Sequence, residues 1–179
     1  MTIRVSGQSR KQCGFTLIEL VVVVTLVGIL AVVALPRMAE NYDSAHAGSV
    51  TATGGALASA VIILRSQWVV KGAKGAQDNV EGYGEGNVAT TQLGWPSDAN
   101  MGTGSNHQAT VTGDSARCVR LWMALLIVNA PKVSQEKSSQ FDYWVALPEG
   151  SVCKYYYMKS DQNSRIEYDL KNGSVITIL

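Results

Sequence analysis

One carboxylate stands where a carboxylate is expensive. Glu19 is the single charged residue in the run FTLIELVVVVTLVGILAVVAL, residues 15–35. A lone carboxylate in a membrane costs on the order of 2.5–3.5 kcal/mol near a helix centre and less near an end. Such groups are kept where they find a partner, and no base lies within helical reach downstream of Glu19. The expectation is therefore a partner that is not local, the alternative being a side chain that snorkels to interfacial water. This is charge pairing, not catalysis. The other chemistry-bearing residues are sparse. His46 and His107 are isolated, with no second ligand at metal spacing. Asp98-Ala99-Asn100 and Asp161-Gln162-Asn163 faintly suggest calcium loops but lack the EF-hand spacing and its terminal Glu. No nucleophile elbow frames the serines. No catalytic site, metal or cofactor is expected.

Composition bounds the partners. The chain has 179 residues, 46% of them hydrophobic, which suits one domain and one long apolar segment. A formal charge of +1 gives no reason to expect nucleic acid or an acidic partner. That charge is concentrated at one end: Arg4, Arg10 and Lys11 precede residue 15 with no acid among them, and the remainder carries a net of −2. As a helix, the 21 residues from 15 to 35 would be roughly 31 Å long, the thickness of a bilayer core. The positive-inside rule puts the N-terminus in the cytoplasm and the rest across the membrane. An ordinary secretory signal peptide fits less well. The apolar run is too long, Glu19 lies near its start, and the small-residue cut after Ala34 is followed by Leu35-Pro36. Gly28 and Pro36 are weak points in this helix, Pro36 through its missing N–H and Gly28 by about 1 kcal/mol relative to Ala.

Beyond Pro36 the helical pattern continues. Leu57, Val61, Leu64 and Trp68 recur on one face, opposite the small and polar Ser49, Thr51, Thr53, Ser59 and Ser66. Residues 38–56 are rich in small side chains that permit close helix–helix approach. Lys71-Gly72 and Gly75 are stop signals, and Gly54-Gly55 leaves open a division into two shorter helices. Residues 72–114 are glycine-rich and read as a long, weakly structured connection. Within it, Gly82-Tyr83-Gly84-Glu85-Gly86 lacks the strand and helix that a nucleotide loop needs. Ser115 is positioned to cap a short helix through about Val128, ended by Asn129-Ala130-Pro131. Strands are expected over 141–147, 151–159, 165–171 and 174–179, with turns at Pro148-Glu149-Gly150 and Asn172-Gly173. This register puts Ile166, Tyr168 and Leu170 on one face with Val175 and Leu179, against the long helix. The sequon match at Asn172-Gly173-Ser174 is better explained by the turn. Of Tyr155, Tyr156 and Tyr157, an exposed face could bind a surface ligand.

Three cysteines, Cys13, Cys118 and Cys153, are an awkward count for an exported protein unless one is removed. Cys118 and Cys153 are the even pair on the exported side, and a disulfide between them is expected over two buried thiols.

Gly14-Phe15-Thr16-Leu17-Ile18-Glu19, followed by the apolar stretch, resembles the prepilin motif of type IV pilins and type II secretion pseudopilins. The resemblance implies a membrane peptidase that cuts between Gly14 and Phe15 and N-methylates Phe15. It implies that Glu19 pairs with the Phe15 amine of a neighbouring subunit, and that the helix between Gly28 and Pro36 kinks or melts in the filament. Cys13 would leave with the leader, and a disulfide-bounded C-terminal region agrees with the family. The implied fold is α+β, a long spine helix packed on an antiparallel-sheet head. Its divisions are a leader at 1–14, a transmembrane and filament-core segment at 15–36, an amphipathic segment at 37–71 and a head at 72–179. Cys118 and Trp122 in a short helix ending at Pro131, the Asp142-Tyr143-Trp144-Val145 strand and the Cys153-Lys154-Tyr155-Tyr156-Tyr157 strand look most like mannose-sensitive haemagglutinin pilins. That implies adhesion and biofilm formation, with the subunit held in the inner membrane, head periplasmic, before joining an extracellular pilus. The implied partners are other pilin subunits, the prepilin peptidase, the inner-membrane assembly machinery and a surface ligand. The rivals are a secretion pseudopilin, for which no C-terminal calcium loop is recognisable, and a singly anchored periplasmic binding domain, which leaves Glu19 unexplained.

Overall fold

The computed structural model describes residues 15–99, 114–146, 150–160 and 163–179. The expected leader with Cys13 and Gly14, together with His107, Asn100 and the Pro148-Glu149 turn, lies outside the described residues. The chain forms two compact units that meet between Tyr42 and Asp43.

Helix α1 runs from Leu17 to Val70 with Gly28, Pro36, Gly54 and Gly55 all inside it. The division at Gly54-Gly55 does not occur, and the sheet shows why. A Cβ at Gly54 would collide with the Thr177 hydroxyl and touch Ile166, so the missing side chain lets helix and sheet approach closely. The helix-propensity cost, about 1 kcal/mol, is offset by packing. In the second unit Val50, Leu57, Ala60, Val61 and Leu64 are buried along one face. Thr51, Thr53, Ser59 and Ser66 each donate to the carbonyl four residues back, which satisfies their hydroxyls without a partner element. Thr53 is buried rather than on the open polar face expected for it. The helix closes where Gly72 enters the left-handed region at φ 63°. Gly72 N–H donates to Val69 O and Ala73 N–H to Trp68 O, the paired bonds of a Schellman cap.

The connection that follows is more ordered than its composition suggested. Strands β1 (Val88–Thr90) and β2 (Pro96–Ala99) form an antiparallel hairpin with an irregular register at Ala89/Thr90. Every residue of both strands is buried, so the alternation that marks a half-buried strand is missing. Helix α2 spans Ser115–Leu125; its N-cap is Asp114, not Ser115, with the Asp114 carboxylate accepting from Arg117 N–H.

The main sheet has the order β3-β4-β5-β6-β7, from β3 (Val133–Ser134), β4 (Tyr143–Val145), β5 (Val152–Tyr157), β6 (Arg165–Asp169) and β7 (Val175–Ile178). All pairings are antiparallel except β3 with β4, and β3 was not foreseen. Ile166, Tyr168 and Leu170 are buried as expected, with Tyr168 opposite Val175. Leu179, expected on that core face, is exposed past the end of β7, where Thr177 takes the place nearest α1.

The core is aromatic. Trp122 packs on Tyr143 and Tyr155 with ring centroids 4.8 and 4.5 Å apart. Four of the polar tips in and around it reach backbone carbonyls: Tyr155 OH donates to Cys118 O, Tyr168 OH to Pro96 O, Tyr83 OH to Leu125 O and Trp122 Nε1 to Pro131 O. Burial pushes the phenols of Tyr155 and Tyr168 up, and that of Tyr143 to about 12. A phenol whose folded value lies above its unfolded value, about 10, contributes stability that is present below pH ~10 and lost as pH rises through the folded value. Each such tyrosine steepens the loss by about 1.4 kcal/mol per pH unit. The head is expected to unfold cooperatively above pH ~10, with tyrosinate absorbance and circular dichroism changing together. Full ionisation of the buried tyrosines with the fold intact would contradict this reading.

Candidate functional site: the start of the long helix and the clamp of the head

Thr16 and Glu19 open α1 as a reciprocal cap. Thr16 is the N-cap and Glu19 the third helical residue. Thr16 Oγ1 accepts from Glu19 N–H at 3.3 Å, while Glu19 Oε2 accepts from Thr16 N–H at 3.2 Å and from Thr16 Oγ1 at 3.1 Å. This satisfies two of the otherwise unpaired donors at the helix start. It also corrects the expectation that Glu19 has no local partner. The signal was legible, because Thr16-Leu17-Ile18-Glu19 is a T-x-x-E pattern directly before an apolar run. Both bonds fall on Oε2. Oε1 takes no bond from the described residues, and the first turn of a helix favours negative charge there.

The helix beyond this cap has nothing on it. Every side chain from Phe15 to Leu35 is exposed, Phe15 at 85%. The segment is long and apolar enough to cross a membrane. Each large apolar side chain would gain about 1.5–3 kcal/mol on full burial. Together they favour a covering environment by tens of kcal/mol, on the same scale. Gly28 lies in this stretch with open space around it, and Pro36 lies at its end.

The head is held by a different device. Cys118 on α2 and Cys153 on β5 are joined by a disulfide across 35 residues of chain, which stabilises by roughly 3–4 kcal/mol on the loop-entropy view. Beside it, Asp98 on β2 is buried and accepts from two nitrogens of the Arg120 fork at 3.0 Å and from Ala99 N–H at 2.7 Å, with Arg117 Nε in an ion pair at 3.2 Å. The hydrogen bond to Asp98 raises the Arg120 pKa. Asp98 is thus the anchor of α2 on the β1–β2 hairpin, its oxygens taken up by two arginines. His46 accepts or donates at Nδ1 to Tyr157 OH, 2.8 Å away. Among the described residues no three His, Cys, Asp or Glu side chains cluster as metal ligands.

Residues 9–35 match the prokaryotic N-terminal methylation motif. The chain is also 39% identical, over 92 residues, to a protein described as the type IV narrow pilus major component PilA5 of Thermus thermophilus. The matched stretch is 50% of this chain and 74% of that protein. The chain belongs to the type IV pilin family. No solved structure matches it significantly. As a pilin it is a structural subunit that assembles with other pilin subunits into an extracellular pilus, with the apolar helix as its membrane anchor beforehand.

Asp98→Ala removes the buried carboxylate on which Arg117 and Arg120 converge. Breaking a buried pair from one side costs about 3–5 kcal/mol, so urea midpoints of the oxidised head should fall by more than for any exposed substitution. Asp98→Asn, which keeps acceptor oxygen but loses the charge, should fall less. Equal stability of wild type and Asp98→Ala would remove the anchor role.

Proposed function

We propose that this pilin is cut between Gly14 and Phe15, N-methylated on Phe15, and built into an attachment pilus resembling the mannose-sensitive haemagglutinin type. The observation that carries the assembly step is Glu19 at the mouth of the uncovered helix, one oxygen held by Thr16 and the other uncommitted. Cleavage would place a positive α-amine at the positive end of the helix dipole, an unfavourable position. Oε1 of an incoming neighbour's Glu19 offers that amine a counter-charge. The pair neutralises two charges at once as the subunit leaves the bilayer, where a lone charge is costly. Thr16 holds the carboxylate in one rotamer, so less side-chain entropy is lost on pairing.

The rest of the chain divides naturally around this step: leader 1–14, membrane and filament-core segment 15–36, amphipathic spine 37–71, head 72–179. Gly28 and Pro36 weaken the helix where a fibre under load would open first. The prepilin peptidase and the inner-membrane assembly machinery are the partners this route requires, with the N-terminus cytoplasmic and the head periplasmic before assembly. The role is structural, with no catalysis. The haemagglutinin-type reading rests on Cys118 and Trp122 in α2, the Tyr143-Trp144-Val145 strand and the Cys153–Tyr157 strand. The relative's description as a pilus component favours a pilus over a secretion pseudopilus.

Mass analysis of the N-terminus, from membranes and from sheared surface material, tests the processing. A methylated Phe15 start in the sheared fraction is the expected result. An intact Met1, or a start near Leu35, would overturn it. Glu19→Val should insert and be processed normally while filament yield falls at least tenfold; normal filaments from cells making only that variant would sink the pairing mechanism.

A further inference from the structure

The outer face of the main sheet is not used by any of the above. Register sets its composition: Trp144 lies opposite Tyr156, and Tyr156 opposite Arg165, while the intervening Tyr143, Val145, Tyr155 and Ile166 turn inward and are buried. The Trp144 and Tyr156 rings are 5.6 Å apart and inclined at 39°, so they form a shallow aromatic shelf. The shelf is fixed in place. The Trp144 indole N–H donates to Gln135 O at 3.0 Å, and the Arg165 guanidinium is tethered by Glu167 at 2.8 Å. A cation stands at each ring: Lys137 Nζ is 5.7 Å from the Trp144 centroid and Arg165 Cζ is 5.8 Å from that of Tyr156. Lys137, Trp144, Tyr156, Ser160 and Asn163 line an open depression of about 480 Å³.

Two half-exposed aromatics side by side on a strand face are a poor choice for a surface that only meets water. The depression combines a flat apolar floor, hydroxyl and amide groups at its rim, and positive charge above the rings. A ring with an apolar face, equatorial hydroxyls and a carboxylate meets all three at once. The pyranose of an acidic sugar has that form. A polynucleotide also stacks on aromatics, but it needs a cationic groove that tracks the backbone. Here Glu167 pairs with Arg165 and lies opposite Lys154, which interrupts such a track. The chain beyond its first 14 residues also carries a net of −2.

We propose that the outer face of β4–β6 binds acidic saccharide, a uronate ring lying on Trp144 and Tyr156 with its carboxylate held by Lys137. The site deepens the attachment reading and depends on it for its use, but binding itself is a property of the single subunit.

The test uses the full chain in detergent micelles, unpolymerised, with tetragalacturonate as probe and maltotetraose and oligothymidylate as controls. Tetragalacturonate should bind at least about tenfold more tightly than maltotetraose, a difference of about 1.4 kcal/mol, and the preference should shrink as salt rises. Trp144→Ala should weaken binding about tenfold or more. Lys137→Ala, an exposed change that leaves the fold alone, should erase the preference for the acidic sugar while sparing maltotetraose. No binding of tetragalacturonate, binding unchanged in both variants, or tighter binding of oligothymidylate would each overturn the site. So would a Trp144→Ala chain that keeps its fold but loses filaments while the wild type binds no sugar, since the face would then be a contact between copies. A subunit that binds tetragalacturonate but never polymerises leaves the site standing and removes the pilus reading; normal filaments without binding do the reverse.

Discussion

An apolar helix surface that none of the described residues covers governs this molecule. From Phe15 to Leu35 every side chain is exposed, and no globular protein in water tolerates that area uncovered. Only lipid or other helices of the same kind can bury it. Membrane residence and polymerisation are therefore two answers to one problem, and moving between them requires little net change in apolar burial. What must differ between the two environments is polar, and in this stretch the Thr25 hydroxyl is already spent on Val22 O, which leaves Glu19 and its cap. A single carboxylate can bias such an exchange because the far larger hydrophobic terms nearly cancel.

The head solves the opposite problem. It must keep its shape while attached to a segment whose surroundings change. Its core therefore does not depend on the first unit: the buried face of α1 begins at Val50, inside the second unit. The elements least able to hold themselves are pinned by strong local bonds. The short β1–β2 hairpin is tied to α2 through Asp98 and two arginines, and α2 is tied to the sheet through the Cys118–Cys153 bridge. Trp122, Tyr143 and Tyr155 fill the space between those ties. These ties, all in the first half of α2, leave the packing to determine shape rather than supply all of the stability.

Long-period features were the legible ones. The helical face at Leu57, Val61 and Leu64, the four antiparallel strands and the apolar run each repeat a pattern often enough to rise above composition. The cysteine pairing followed from an even count on one side of a membrane. Features set by tertiary contact were not legible. β1 and β2 are buried on both faces and so lack alternation, and β3 is two residues long. Asp98 finds Arg117 and Arg120 only once the hairpin lies against α2. Leu179 was placed inside because strand alternation was carried one residue too far. Gly54 was read as a possible break because a glycine's effect on local propensity is visible in sequence, whereas the Thr177 hydroxyl that needs its space is not. The Thr16–Glu19 cap is the exception. It is local and readable as a T-x-x-E pattern, in which Glu19 serves as an acceptor for N–H groups rather than only as a charge seeking a base.

That distinction changes how the acid is understood. If Glu19 were held only by a future partner, an unassembled subunit would carry an unsatisfied carboxylate in lipid, and insertion would be resisted. Capping supplies the carboxylate with hydrogen bonds from its own first turn, which lowers the cost of waiting in the membrane. Yet the cap involves neutral donors and one oxygen, so the charge itself is not neutralised. Under the proposed pairing, the subunit can wait in the membrane and still gain when an amine arrives. A fully satisfied acid, paired with a lysine one turn away, would lose that second property. The absence of any base within helical reach of Glu19 in the sequence is therefore as much a part of the device as the acid.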